Sequence, residues 1–133
     1  MRSLTLGLIV TMLVATTASA KPAIRDVREL DEGLYTVGLA NEIRKKCPKI
    51  SGRLVKGMTE LRRLHTRAIQ LGYSEDEIRA HVKSDVEKDR LRARAAKYMK
   101  SQGLKQNKEG YCALGQLELK KKSGVGALLR AKN

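Results

Sequence analysis

Two cysteines set the strongest constraint on how this chain can fold. Cys47 lies in the basic stretch NEIRKKCPKISGR, Cys112 lies some 65 residues further on in EGYCALG, and the sequence has no other cysteine. Oxidation within one molecule therefore allows a single pairing. In the chain-entropy model, closing a loop of this length stabilises the fold by about 4 kcal/mol. A metal site and a reactive thiol are the alternatives, but no clustered histidine accompanies the cysteines, and a lone nucleophile would not need a partner.

The first 20 residues have the pattern of a secretory signal peptide. Arg2 supplies a positive start, residues 4–15 are an apolar run, and Ala18-Ser19-Ala20 is a small-residue cleavage site. We expect cleavage after Ala20, which leaves residues 21–133 as a single small basic domain, periplasmic or secreted. The apolar run is shorter than the about 20 residues that span a bilayer, so an uncleaved anchor is the weaker alternative and no stable membrane span is expected after cleavage. Export would bring the cysteines into an oxidising compartment.

The rest of the chain predicts an all-α fold, a small bundle of about five helices with short loops, stapled by one disulfide. Helical spacing of apolar residues dominates, and no alternating run suggests a strand. Pro48 should end the first helix, a capping box at Ser74 should begin the third, and a second box at Ser84 should separate the third from the fourth. The expected helices cover about 29–47, 51–72, 74–83, 85–102 and 111–121, followed by a short terminal turn.

The second helix is the most clearly amphipathic segment. Ser51 is its candidate N-cap, and an apolar arc at helical spacing should face the core. This arc consists of Leu54, Met58, Leu61, Ala68 and Ile69. His65 lies at its centre, which predicts a buried core histidine whose ring nitrogens are satisfied by hydrogen bonds.

Two phrases of the sequence carry a resemblance to a known family. They are LGYSEDEIRAHVKSDVEKDRLRARAAKYMKSQG and YCALGQLELKKKSGVGALLRAK. With them, the chain resembles a family of small secreted alphaproteobacterial proteins, the domain of unknown function 5333, over essentially all of the mature chain, with cysteines placed like Cys47 and Cys112. The resemblance implies a bacterial exported protein, and it implies no activity, substrate or cofactor.

No catalytic constellation emerges from the sequence. Three serines, Ser51, Ser74 and Ser84, are explained as helix caps, and no G-x-S-x-G motif is present. His81 has Glu77 and Asp85 at helical contact spacing, a pattern more typical of a solvated ion cluster than of a metal site. We therefore expect no enzyme, no metal and no cofactor, and we keep a small hydrolase or metal-dependent factor using His65 or His81 as the alternative.

Charge is strongly segregated along the chain. The net charge is +14, residues 43–70 carry nine basic side chains against Glu60 alone, and residues 88–133 are also strongly basic, whereas 24–42 and 71–87 are acidic. Such segregation favours an anionic partner, either an anionic envelope component or an acidic protein, and a solvated basic surface with no specific ligand remains the alternative. Nucleic acid is not expected, because few aromatic residues could stack on bases. The candidate anion-binding residues are Arg44, Lys45, Lys46, Lys120, Lys121 and Lys122.

Overall fold

The computed structural model describes residues 20–133, and the predicted signal peptide, apart from Ala20, lies outside that part of the chain. A 3-10 turn over Ile24–Asp26 precedes six helices and two short strands. In chain order these are α1 (Arg28–Lys46), β1 (Ile50–Gly52), α2 (Leu54–Gln70), α3 (Glu75–Lys83), α4 (Asp85–Ser101), α5 (Lys108–Lys121), α6 (Gly124–Ala127) and β2 (Leu129–Ala131). The predicted helical class and the five expected helices are confirmed, whereas the terminal turn expected after them consists of the short helix α6 followed by β2.

The sequence signals for helix ends are confirmed where a capping side chain, or the ring of Pro48, acts on the backbone next to it. Helix α1 ends at Lys46, just before Cys47 and Pro48. Ser74 begins α3 with a complete capping box, in which its hydroxyl accepts from the Glu77 N–H while the Glu77 carboxylate accepts from the Ser74 N–H. Ser84 caps α4 by accepting from the backbone N–H of Glu87. These signals need only residues within one turn of the chain.

Two local expectations are wrong near the start of α2. Ser51 is not its N-cap, because Ser51 lies in β1, which pairs antiparallel with β2 at Ser51↔Arg130. The position before α2 is Arg53, whose side chain makes no cap hydrogen bond with the helix and instead donates from Nε to the carbonyl of Leu129. The small sheet was also not expected. Its strands have three residues each and lie far apart in sequence, so a periodicity argument cannot detect them.

Helix α1 lies at the centre of the fold and has a hydrophobic core on either half of its length. The N-terminal core joins the first half of α1 to the 3-10 turn, α2 and the segment before α3. It consists of Ile24, Leu30, Leu64, Ala68 and Tyr73. The C-terminal core joins the second half of α1 to α4, α5, α6 and both strands. Its largest fully buried members are Ile43, Ile50, Met99, Leu114 and Leu129.

The predicted disulfide is confirmed and closes the C-terminal core. Cys47 and Cys112 are bonded, with their Cα atoms 5.0 Å apart, and no cysteine is free within the described residues. Cys47 follows α1 directly and is fully buried, while Cys112 lies in the second turn of α5. The bridge therefore fastens the end of the central helix to the last long helix.

Two glycines allow close contact between helices. A Cβ added at Gly33 would lie 2.4 Å from Cδ2 of Leu64, so glycine here lets α2 approach the first half of α1. A Cβ at Gly115 would lie 2.2 Å from Cδ1 of Ile50, so α5 approaches β1 in the same way. Glycine at position 33 lowers the helix propensity of α1. The packing of Leu64 against Gly33 compensates for this loss, and α1 is continuous from Arg28 to Lys46.

The apolar arc of α2 does not face the core as the sequence suggested. Only Leu64 and Ala68 of α2 are buried, whereas Leu54, Met58 and Leu61 are 63, 51 and 37 % exposed. The helix is rotated about its axis so that one edge of its apolar side, and not the centre, packs on α1. Amphipathicity predicts that a helix has an apolar side but does not determine how much of that side a small domain can cover.

Substitutions in α2 should report this rotation. Leu64→Ala removes a buried side chain and should lower the free energy of unfolding by about 2–4 kcal/mol. Leu61→Ala should cost less than half as much, because Leu61 is already partly in water. Urea unfolding of the two variants measures both values. Equal losses would mean that α2 packs through the arc centred on Leu61.

The disulfide should contribute much of the stability. We expect reduction to lower the free energy of unfolding by about 4 kcal/mol, since it releases a loop of 65 residues in the unfolded chain. Urea unfolding with and without reductant measures the change. The control is the double variant Cys47→Ala with Cys112→Ala, which should not respond to reductant. An equal response in the control would show that the effect has another origin.

Candidate functional site

A long apolar groove runs between α1 and α2. It consists of two cavities of about 330 Å³ and about 230 Å³ that share Leu61 as a lining residue. One wall is formed by α1, through Leu30, Leu34, Val37 and Asn41, which repeat every three or four residues and so share a face of the helix. We call these two cavities together the α1–α2 groove.

The second wall is the apolar arc of α2 that the core leaves uncovered. Leu54, Met58, Leu61 and His65 line the groove in order along this helix, again at spacings of three or four. From Leu54 to Ala68 the helix rises about 21 Å at 1.5 Å per residue. The groove is therefore as long as a helix of about fourteen residues.

The two ends of the groove are closed by different elements. Helix α3 closes the smaller cavity with Ile78, His81 and Val82. At the other end, Arg44, Gly52, Arg53 and Leu128 surround the larger cavity. Among the described residues that line the groove there are two arginines and no carboxylate. The groove is thus apolar along its length and basic at one end.

The structure corrects the expectation for His65. Its side chain is 44 % exposed, and its Nε2 lies 2.9 Å from a carboxylate oxygen of Glu75. It is therefore not a core histidine. Glu75 is ten residues away, at the start of α3, so the helical spacings of α2 gave no sign of this contact. A histidine–carboxylate pair can act as a general base, but no serine, threonine or cysteine lines the described groove beside it.

His81 lies at the same end of the groove and is half-buried. Burial lowers the pKa of His81 below its usual value, and the nearby charges of Arg90 and Arg25 lower it further, while Asp31 opposes them. The neutral imidazole is therefore favoured in the folded protein. Within residues 20–133, no group of three or more histidine, cysteine or carboxylate side chains could hold a metal ion.

Much of the sequence segregation of charge is neutralised in space. Glu29 of α1 accepts hydrogen bonds from Arg63 at 2.7 Å and from Arg67 at 2.9 Å. Both hydrogen bonds lower the pKa of Glu29, and the one from Arg63 has the larger effect. Two further acids of α1, Asp31 and Glu32, pair with arginines of α4. The acidic residues of α1 thus form ion pairs with arginines of both basic segments, residues 43–70 and residues 88–133. Only part of the positive charge therefore remains for a partner.

The two predicted basic triplets lie in separate places. Arg44, Lys45 and Lys46 form the last turn of α1, beside the disulfide. Lys120, Lys121 and Lys122 end α5, about 12 Å along that helix from Cys112. All six residues are exposed. Because Lys120 lies about two helical turns from the disulfide, the triplets form two separate basic patches.

The first triplet divides further, because its residues line different cavities. Arg44 borders the α1–α2 groove and donates from Nε to the side-chain oxygen of Asn41. Lys46 lines a separate cavity between α1 and α4.

The second triplet adjoins a buried polar cluster. Glu118 is 3 % exposed, and its carboxylate accepts from the hydroxyls of Tyr98 and Ser123. Lys121 donates to the hydroxyl of Tyr98 at 3.2 Å, so it is engaged with this cluster. These contacts join α4, α5 and the cap of α6, and they satisfy the buried groups as a structural network requires.

Most lining residues of the groove were not identified from the sequence, and Val37, Arg53 and Leu128 are examples. They belong to α1, to the turn before α2 and to the segment between α6 and β2. None of these three residues differs from its sequence neighbours in a way that would indicate a site. A cavity formed by distant segments leaves no spacing in the sequence that could reveal it.

The state of His81 predicts how stability depends on pH. Its pKa is lower in the folded than in the unfolded chain, so the unfolded chain binds more protons and stability falls as the pH drops below about 6.5. Between about pH 7.5 and 5.5, the melting temperature of the wild type should decrease more than that of His81→Gln. Thermal unfolding followed by circular dichroism measures this. His65→Gln is the matched control, and a greater flattening of the profile there than in His81→Gln would contradict the assignment.

Comparison with known proteins identifies a family for nearly the whole described chain. No helix among the described residues is long and apolar enough to cross a membrane. No curated protein and no solved structure matches the chain. A family model described as "Family of unknown function (DUF5333)" matches residues 22–130. This range contains all six helices, β1, both cysteines and all of β2 except its last residue, so the chain belongs to that family.

Proposed function

We propose that this protein is an exported, non-enzymatic binding protein, and that its α1–α2 groove holds an amphipathic, acidic helix of a partner protein. The observation that carries this proposal is the uncovered apolar arc of α2. Eight large apolar side chains are exposed within the described residues, and five of them belong to this one helix. Clustered exposed apolar surface is typical of an interaction site.

The shape of the groove favours a helix as the occupant. Two antiparallel walls present side chains every three or four residues, which matches the spacing of anchors on one face of a helix. The two cavities that share Leu61 can receive successive anchor side chains. An engineered cavity of about 150 Å³ accommodates benzene, so each of these can accept a large apolar side chain.

The charges favour an acidic partner. Arg44 and Arg53 surround one end of the groove, and Arg62, on the exposed side of α2, has no ion pair among residues 20–133. Carboxylates on the flank of a bound helix would meet these three guanidinium groups. Such complementarity speeds association and excludes basic partners more than it adds affinity.

Export is supported by two independent features. The signal-like N-terminal sequence predicts it, and the Cys47–Cys112 disulfide is a bond that persists in oxidising compartments such as the periplasm. The partner would then be another exported or envelope protein.

An anionic membrane surface is the competing occupant. A basic amphipathic helix can lie in the headgroup region of a bilayer, and α2 has the required residues. We favour a helix because the apolar residues of α1 form the inner wall of a concave groove, where a flat bilayer makes little contact. The His65–Glu75 pair leaves a hydrolase as the other alternative, for which no nucleophile is at hand in the described groove.

Peptide binding tests the proposal. The probe is a labelled helical peptide of about eighteen residues with leucine at i, i+3, i+4 and i+7 and glutamate on its flanks. We expect saturable binding, measured by fluorescence anisotropy, that weakens with salt. A lysine-flanked version and a scrambled version should bind at least about tenfold more weakly.

Paired variants identify the surface. Met58→Asp adds a carboxylate to an exposed position of the groove and should weaken binding about tenfold or more. Val86→Asp is the matched control, since Val86 is 70 % exposed on α4 and lines neither cavity of the groove. Equal loss in both variants, or no binding of the acidic peptide, would refute the proposal. Binding to anionic vesicles that only Met58→Asp abolishes would assign the groove to a membrane surface, and ester hydrolysis lost in His65→Ala would favour the enzyme.

A further inference from the structure

A second concave site lies on a neighbouring face of α1. It is a cavity of about 370 Å³ between α1, α4, the start of α5 and the loop before it. This volume falls within the range of about 300–1,000 Å³ that is usual for small-molecule sites. We call it the α1–α4 cavity. It shares only the ridge residues Gly38 and Asn41 with the α1–α2 groove.

Three cationic side chains line this cavity against a single carboxylate. Lys46 comes from the last turn of α1, and Lys88 and Arg92 come from one face of α4, four residues apart. Glu42 is the only acidic lining residue. The cavity therefore has an excess of positive charge.

The existing ion pairs leave this positive charge available. Lys46 has no carboxylate within ion-pair distance among residues 20–133. Lys88 pairs with Asp85 at 3.6 Å and Arg92 with Asp89 at 2.9 Å. The side chains of these two aspartates are 93 and 73 % exposed, so both pairs lie in solvent, where such pairs contribute about 0–1 kcal/mol. A ligand anion in the cavity can compete with them.

Neutral groups complete the site. Tyr111 and Gln106 supply hydrogen-bond donors, and burial, assisted by Glu42, raises the pKa of Tyr111, so its hydroxyl keeps its proton. The side-chain oxygen of Asn41 already accepts from Arg44, which leaves its NH₂ group for another acceptor. The apolar lining residues are Leu39, Leu91 and Ala95.

We infer that the α1–α4 cavity binds a small organic anion, in which a carboxylate or phosphate group is attached to a body the size of one sugar or aromatic ring. The anion would meet Lys46, Lys88 and Arg92, and the ring would lie on the apolar lining. The combination of a few convergent polar groups with an apolar surface is typical of small-molecule sites. This inference does not depend on the function proposed for the groove.

Titration of the disulfide-bonded protein tests the inference, with binding followed by calorimetry and by amide chemical shifts. The probes are glucose 6-phosphate, glucuronate, inorganic phosphate and glucose. We expect saturable binding of at least one of the two sugar anions, with shifts around residues 88–92 and at Lys46 and Tyr111. Phosphate alone should bind more weakly, because it lacks a ring, and glucose should not bind. A preference for one sugar anion tells whether the site takes a phosphate or a carboxylate.

Variants decide whether the cavity is responsible. Lys46→Gln with Arg92→Gln should weaken binding about tenfold or more, and Glu42→Gln should strengthen it, because it removes the opposing charge. Lys120→Gln with Lys122→Gln is the matched control, with the same change in net charge outside the cavity, and should leave binding unchanged. The inference is wrong if neither sugar anion binds saturably, if glucose binds equally well, or if the control loses as much affinity as the cavity variant.

Discussion

The contact between Leu64 of α2 and Gly33 of α1 determines the orientation of α2, and the α1–α2 groove depends on that orientation. The missing side chain at Gly33 lets Leu64 enter the space beside α1, and Ala68 follows one turn later in the same core. On the next part of the α2 surface, Arg63 and Arg67 are held by Glu29. Helix α2 is thus fixed through one flank, and the centre of its apolar arc remains open to solvent.

An apolar arc in contact with solvent lowers the solubility of the protein and does not stabilise the monomer. A chain with few aromatic residues also needs most of its large apolar side chains for its core. The sequence has no Phe and no Trp, and the two cores, one against each half of α1, are formed mainly by aliphatic side chains. The position of Leu54, Met58 and Leu61 outside both cores is the reason that we propose a partner for this groove. Under the same proposal, Arg44 and Arg53 at one end of the groove favour an acidic partner.

Helix α1 carries different chemistry on neighbouring faces. Its acidic residues near the N-terminus hold arginines of α2 and α4, which makes the basic segments part of the scaffold. Its C-terminal turn is tied down by the disulfide and presents Arg44 to the groove and Lys46 to the α1–α4 cavity. The end of one helix therefore contributes a cationic side chain to each of the two cavities that we propose as binding sites, and the net charge of the chain does not reveal either cavity.

Some features of this fold arise within one turn of the chain or allow only one arrangement, and these follow from the amino-acid sequence alone. Pro48 and the caps at Ser74 and Ser84 act on adjacent backbone, and two cysteines allow one pairing, so these three helix ends and the disulfide were predictable. Other features became visible only in the folded chain: the rotation of α2, the pairing of β1 with β2 and the contact of His65 with Glu75. These depend on which distant surfaces fit together, and side-chain spacing along one helix contains no information about the shape of its neighbour.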